Sequence, residues 1–362
     1  MKNIGLYIHI PFCNGKCPYC DFYSIKNTEE DMDKYVRRLN GKISECHSFT
    51  ADTVYFGGGT PSLLGTERII SLLKNIKKNF GDIERETTLE VNPESAKDLD
   101  FEKLNFYGIN RVSMGLQSAD ESELLSLGRK HSPKDAADNV GIIKKSGIDN
   151  ISLDLMIGIS GQTEKSLSNS IDFCADLGVK HISAYILKIE ESTPYYKIKN
   201  RLDLPDDDTV CDFYEMMTAK LDSLGFKQYE ISNFAKPGFE SRHNLKYWNC
   251  EEYLGLGAAA HSFIDKKRFY CSRSIEDFYS GIIVPDGHGG DEEEYISMTL
   301  RLSSGLEYEK FKAYFGYELP GKYVKRADKL TKTGLLISDS KGIRLTVKGF
   351  LCSNSIIVEL MD

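Results

Sequence analysis

The sequence predicts an α/β fold: an open, partial (βα)6 barrel followed by a smaller α+β module of winged-helix style. Three observations carry this. From residue 4 to about 187, short β-branched or aromatic runs alternate with amphipathic, charge-rich segments of helical period, the signature of βα units around a parallel sheet. Several helical segments stop at a glycine, at Gly108, Gly147 or Gly178, where a left-handed residue ends a helix. Beyond residue 190 this alternation gives way to polar stretches, and the last segment, 291–362, is mostly helical with a small hairpin.

Six strands are expected, at 4–10, 53–56, 87–91, 111–114, 151–156 and 181–187. Helices are expected between them at 31–45, 67–79, 101–106, 134–145 and 164–177. Barrels of this kind carry their chemistry at the C-terminal ends of the strands. Past residue 190, Pro205 and three aspartates lead into a helix at about 209–224, with the acidic run at its dipole-positive end. A strand and turn follow at 228–238. In the last segment, helical patterns at 292–301, 308–315 and 324–333 precede short strands at 335–338 and 343–345.

With 362 residues the chain has length for one large domain and a smaller one. It contains no apolar run of membrane-spanning length, and its first residues enter a strand pattern without a signal-peptide block, so a soluble, cytoplasmic protein is expected. The net charge of −8 and the absence of a Lys/Arg-rich stripe argue against nucleic acid as the main partner. Nine cysteines in such a chain are expected as free thiols, and only three of them cluster.

Those three, Cys13, Cys17 and Cys20, stand at C-x3-C-x2-C spacing directly after the first strand, with Gly15 and Pro18 supplying turns. Three thiolates on one loop suit an iron-sulfur cubane with one iron left open. They also suit zinc, with His9 completing a Cys3His set, or a loop of unliganded thiols.

The other strand ends help to choose. After strand two come Gly57, Gly58 and Gly59, where a ligand could approach the backbone without meeting a Cβ. Glu90 lies at the end of strand three, Gln117 follows strand four, and Asp154 sits within an otherwise apolar strand five. Each alone reads as a surface or paired polar residue. Repeated at successive strand ends, they are required by a ligand-binding barrel and not by a zinc loop.

The cysteine loop, with Tyr19 before its third cysteine, resembles that of the radical S-adenosylmethionine (SAM) superfamily. Gly-Gly-Gly-Thr-Pro at 57–61 is similar to the variant in its coproporphyrinogen-oxidase-like members. The resemblance implies a partial (βα)6 radical SAM barrel with a 4Fe-4S cluster on Cys13, Cys17 and Cys20. It implies SAM lined by Tyr7, Tyr19, Gly58, Gly59, Thr60, Glu90, Gln117, Arg129 and Asp154.

Further on, His243, Asn244, Tyr247 and Trp248 form His-Asn-x-x-Tyr-Trp, similar to the haem motif of the HemW-type haem chaperones. On its chemistry alone, a lone histidine beside Tyr and Trp reads as an interface residue. His261, in a Gly/Ala-rich stretch, reads as structural. The resemblance implies three regions: 1–230 as the core with the cluster and SAM site, 231–290 as a linking region with the haem motif, and 291–362 as the C-terminal module. It also implies haem as cargo, haem-acceptor proteins, membrane respiratory enzymes among them, and an electron donor.

The alternative is an oxygen-independent coproporphyrinogen III oxidase. That enzyme has a further cysteine two residues after the third, where this chain has Phe22, and a longer segment before the loop. The chaperone is therefore expected, without oxidase activity. Ile157-Gly158-Ile159-Ser160 and Ala119 depart from the family pattern near the SAM pocket.

Overall fold

The computed structural model describes residues 1–26 and 28–362. Strands β1 (Lys2–Ile10), β2 (Phe49–Gly58), β3 (Glu86–Val91), β4 (Arg111–Gln117), β5 (Asn150–Ile157) and β6 (His181–Ile186) pair in sequence order and in parallel. Helices Glu29–Ser44, Thr66–Phe80, Phe101–Phe106, Pro133–Lys145 and Glu164–Asp176 form the crossovers. Three of them start in a capping box, on Thr28 with Asp31, Ser132 with Asp135 and Thr163 with Ser166. Each such cap is worth about 1 kcal/mol.

The strands are two-faced. Leu89, Val91, Val112, Met114, Ile151, Leu153 and Leu155 are buried in the main hydrophobic core. The alternate residues, Glu86, Thr88 and Glu90 on β3, Arg111 and Ser113 on β4, Ser152 and Asp154 on β5, are polar. Because side chains alternate across a strand, this second set shares the inner face of the half-barrel. Its members bond to one another there: Ser113 Oγ donates to Asp154 at 3.2 Å, and Ser152 Oγ meets His181 Nδ1 at 2.8 Å.

The sheet is larger than the six expected strands. Strands β7 (Lys227–Glu230) and β8 (Asn233–Ala235) form a hairpin antiparallel to β6. Strand β9 (Tyr253–Leu256) returns to pair in parallel with β1, and β10 (His261–Ile264), β11 (Lys267–Cys271) and β12 (Ile283–His288) extend that edge antiparallel. The order is β12-β11-β10-β9-β1-β2-β3-β4-β5-β6-β8-β7, so the sheet stays open. The sequence hides β9 because Leu254-Gly255-Leu256 is short and Gly-bearing, and its partner Leu6-Tyr7-Ile8 is remote in the chain.

The C-terminal module packs helices Glu292–Thr299, Tyr308–Phe315, Gly321–Leu330 and Ser353–Met361 around Phe311, Tyr323 and Leu360. Its sheet has a third strand beyond the expected hairpin. Strand β13 (Leu306–Glu307) pairs with β15 (Gly342–Leu345), which pairs with β14 (Leu336–Ser338). Backbone bonds fasten the module to the sheet edge, from Ile231 N to Arg301 O at 2.9 Å and from Ser303 N to Tyr229 O at 3.0 Å. Among the described residues no helix is long and apolar enough to cross a membrane.

Candidate cofactor site at the strand ends

The cysteine loop leaves β1 and is pinned at its base. Cys13 N donates to Ile25 O at 3.0 Å and Ile25 N to Pro11 O at 2.7 Å. Inside it, Cys20 N closes a turn on Cys17 O at 3.1 Å, and all three thiols are free and partly exposed. Burial pushes the Cys20 thiol above its ordinary pKa. The glycine loop is bound alongside, Gly59 N to Ile10 O at 2.7 Å and Thr60 N to Phe12 O at 2.8 Å.

The glycines serve this packing as much as any ligand. A Cβ on Gly58, where φ is +115°, would stand 2.6 Å from the His9 ring, and one on Gly59 would stand 2.6 Å from the Phe12 carbonyl oxygen. Both spaces that the sequence reading left for a ligand are thus filled by the protein.

A chain of hydrogen bonds links two of the cysteines across four strand ends. Thr60 Oγ1 lies 3.7 Å from Cys13 Sγ and accepts from Asn92 Nδ2 at 3.0 Å. Arg129 Nη2 donates to Asn92 Oδ1 at 2.8 Å and to Gly115 O at 2.9 Å, while its Nη1 lies 3.7 Å from Cys17 Sγ. Arg129 Nε is buried without a partner among the described residues, which leaves a donor for a ligand that the protein itself does not supply. Beside this network, Gln117 holds a left-handed φ of 71°, uncommon for a residue with a side chain.

Deeper in, Glu90 accepts from Tyr55 Oη at 2.7 Å and from Gly58 N at 3.2 Å. Burial, aided by the charge of Asp154, pushes its pKa up to about 7 against the pull of those two donors. Burial likewise raises Asp154, which bonds Ser113 and Ser183. Two carboxylates held this way favour a cationic ligand bearing hydroxyl donors. Tyr7 and Tyr19 flank the site: Tyr7 Oη meets His9 Nδ1 at 3.1 Å, and Tyr19 packs edge-on against Tyr195 with centroids 6.2 Å apart.

His9 is not turned to the cysteines. Its ring is buried between Tyr7 Oη and the Tyr23 carbonyl, and burial pulls its pKa down to about 4. Among the described residues no group of three or more His, Cys, Asp or Glu side chains is placed to hold a metal ion. A single zinc needs sulfurs about 3.8 Å apart, whereas a cubane takes each cysteine on a different iron. The donor set, three thiols on a pinned loop with an arginine and a threonine at two of them, fits the cubane.

The second motif lies behind this site. His243 is fully buried on the short helix Arg242–Trp248, with Nδ1 2.9 Å from Thr53 Oγ1 and Nε2 2.7 Å from Tyr247 Oη. Its ring stacks on Tyr55 at 5.2 Å, and burial, with the charges of Lys246 and Arg111, pulls its pKa to about 3. Both ring nitrogens are thus engaged by the protein. Buried Glu86 caps the helix, accepting from Ser241 Oγ at 3.2 Å, Arg242 N at 2.9 Å and His243 N at 3.1 Å. Asn244 is half-buried in the first turn, and Trp248, also half-buried, faces the Arg301 guanidinium at 6.0 Å.

Sequence reasoning missed Asn92, Tyr55, Thr53 and Glu86. Their signal was available: Thr53, Tyr55 and Glu86 lie on the inward register of β2 and β3, and Asn92 opens the Asn-Pro step after β3.

A parallel half-barrel with a three-cysteine loop at its strand ends defines the class of radical SAM proteins. The sequence matches the Radical SAM superfamily over residues 7–174 and the HemN C-terminal domain over 293–352. A heme chaperone HemW from Bacillus subtilis (strain 168) is 34% identical over 371 residues, 97% of each chain. One from Lactococcus lactis subsp. lactis (strain IL1403) is 32% identical over 375 residues, 99% of this chain and 98% of the relative. The fold is that of the solved coproporphyrinogen III oxidase (HemN) from Escherichia coli, with a TM-score of 0.83 at 22% identity, over 99% of this chain and 90% of that one. The chain belongs to the HemW family. Its superfamily implies a 4Fe-4S cluster and SAM.

Proposed function

We propose that this protein is a haem chaperone that binds a 4Fe-4S cluster, SAM and haem and delivers haem to acceptor proteins. The observation that carries this reading is end-to-end similarity to relatives named heme chaperones, 97% of both chains in one case. Cys13, Cys17 and Cys20 hold the cluster, and Arg129 and Thr60 stand as donors beside its thiolates. Glu90 and Asp154 accept the hydroxyl and ammonium groups of SAM, and the buried rim of the barrel keeps water from them. Cluster and SAM, when bound, supply one-electron chemistry. Tyr7, Tyr19 and Gln117 stand around the same pocket, and Gly58 and Gly59 shape its wall by letting His9 and the Phe12 carbonyl pack against them.

His243 would hold haem through a ring nitrogen, with Asn244, Tyr247 and Trp248 beside it. Nε2 is bonded to the Tyr247 hydroxyl in the structure, so that bond would have to be given up for the imidazole to serve as a ligand. The likeness to HemN favours a second reading, a coproporphyrinogen III oxidase, but at 22% identity it speaks for the fold alone. Anaerobic reconstitution tests the cofactor assignment: about four irons and four sulfides per chain are expected, all lost when Cys13, Cys17 and Cys20 become alanine. Stoichiometric zinc without sulfide contradicts it.

A further inference from the structure

The segment between β6 and the helix Asp207–Ser223 runs as a strap along the cysteine loop. Tyr195 N donates to Pro18 O at 3.0 Å, Ser192 Oγ donates to Asp21, and the Tyr195 ring lies edge-on to Tyr19. Pro18 stands between Cys17 and Cys20, so the strap borders two of the three thiols. Its far end is tied down by Gly161 N to Asp203 O at 2.8 Å and Asp203 N to Ser160 Oγ at 3.0 Å. Lys197, Ile198, Lys199 and Arg201 are exposed on the strap, as are Lys16 and Phe22 on the loop. Among the described residues none of the four cations forms an ion pair, and Lys199 only overhangs the Tyr196 ring at 4.1 Å. The neighbouring acids are mostly engaged: Glu190 with Lys188 at 2.6 Å, Glu191 with the Tyr196 hydroxyl at 3.4 Å and Asp21 with Ser192, which leaves Asp203 as the free carboxylate of the strap. A chain of net charge −8 thus presents unpaired positive charge and two apolar side chains beside its cysteine loop.

We infer that this face, with Lys16, Lys197, Lys199 and Arg201 around Phe22 and Ile198, docks a small acidic electron-transfer protein and brings it to the cluster on Cys13, Cys17 and Cys20. The inference rests on the cluster proposed above and adds its partner. A cluster that does one-electron chemistry is reset by a one-electron donor. Electron tunnelling falls steeply with distance, so that donor must sit where the thiols come near the surface. Encounters of this kind bury little area and are steered by charge. Here the unpaired cations attract an acidic carrier to one place, and the net negative remainder of the chain repels it elsewhere. The donor is oxidised by one electron and the cluster reduced by one; no proton moves and no bond forms or breaks.

Plant-type 2Fe-2S ferredoxin, an acidic one-electron carrier of low potential, is the probe. Cluster-replete wild type is compared with the triple variant Lys197→Glu, Lys199→Glu, Arg201→Glu, whose changes all fall on exposed side chains. Stopped-flow absorbance follows cluster reduction by reduced ferredoxin, and calorimetry at low salt follows binding of oxidised ferredoxin. Ferredoxin is expected to reduce the variant about ten-fold more slowly or worse, with a flattened salt dependence and weakened binding, while dithionite reduces both proteins at the same rate. Equal ferredoxin rates in the two proteins, or a wild-type rate indifferent to salt, overturn the inference. So does a wild type that binds phosphatidylserine vesicles through the same three residues and leaves ferredoxin unbound, which gives the face to a membrane. If wild type reconstitutes without iron and sulfide, the cofactor reading fails, and the binding measurement, which needs no cluster, still decides whether the face docks ferredoxin.

Discussion

Arg129 Nη1 lies 3.7 Å from Cys17 Sγ while its Nη2 holds Asn92 and the Gly115 carbonyl, so one guanidinium ties the cysteine loop to the ends of β3 and β4. A cation and donor at a cluster thiolate favours the reduced cluster. Arg129→Met is expected to lower the reduction potential by roughly 20–60 mV, the equivalent of one hydrogen bond. Spectroscopic redox titration of the reconstituted protein reads it directly, and an unchanged potential contradicts the placement.

Glu90→Ala and Asp154→Ala each remove a charged acceptor from the same pocket. Each is expected to weaken SAM by roughly 1.5–3 kcal/mol, with iron and sulfide content unchanged. Calorimetry that finds the same affinity in both variants and wild type places SAM elsewhere.

Much of this site was legible, and for a physical reason. Short-range chemistry writes itself into sequence: three thiols on one turn-rich loop, glycines at a strand end, a carboxylate in an apolar strand. The parallel core was legible too, because βα alternation is local. Strand β9 was not, since Gly5 to Ile8 meet Tyr253 to Leu256 across most of the chain and nothing local records the pairing. His243 was visible as a motif, but its burial against Thr53, Tyr55 and Tyr247 depends on two elements far apart in sequence. The glycines were read as leaving room for a ligand at the backbone, yet what occupies the space at Gly58 and Gly59 is His9 and the Phe12 carbonyl.

Gly59→Ala tests that last point. Its Cβ would meet backbone, which cannot turn aside as a side chain can, so the cysteine loop must shift. A loss of about 1–3 kcal/mol in unfolding free energy is expected, together with reduced iron retention. Full stability and full iron content in this variant contradict the packing described.

Acid should loosen the His243 helix. The imidazole has a folded pKa of about 3 against an ordinary 6.5, so its neutral burial is fully tolerated above pH 6.5 and becomes a growing cost as pH falls toward 3. Between pH 7.5 and pH 5 that cost is on the order of 2 kcal/mol. Denaturant unfolding of wild type beside His243→Gln at the two pH values isolates it, because His9 and His181 titrate alike in both proteins. The wild type is expected to lose that much more than the variant, and parallel losses contradict the burial.

The central claim is that this chain carries finished haem and does not make porphyrin. Anaerobically reconstituted, cluster-replete protein is titrated with haem, wild type beside His243→Ala, and the same preparation is given reductant, SAM and coproporphyrinogen III with decarboxylated product followed by chromatography. The account predicts a saturable Soret band that weakens or shifts in His243→Ala, and no protoporphyrinogen IX. Multiple turnovers to protoporphyrinogen IX, with haem affinity indifferent to His243, would contradict it.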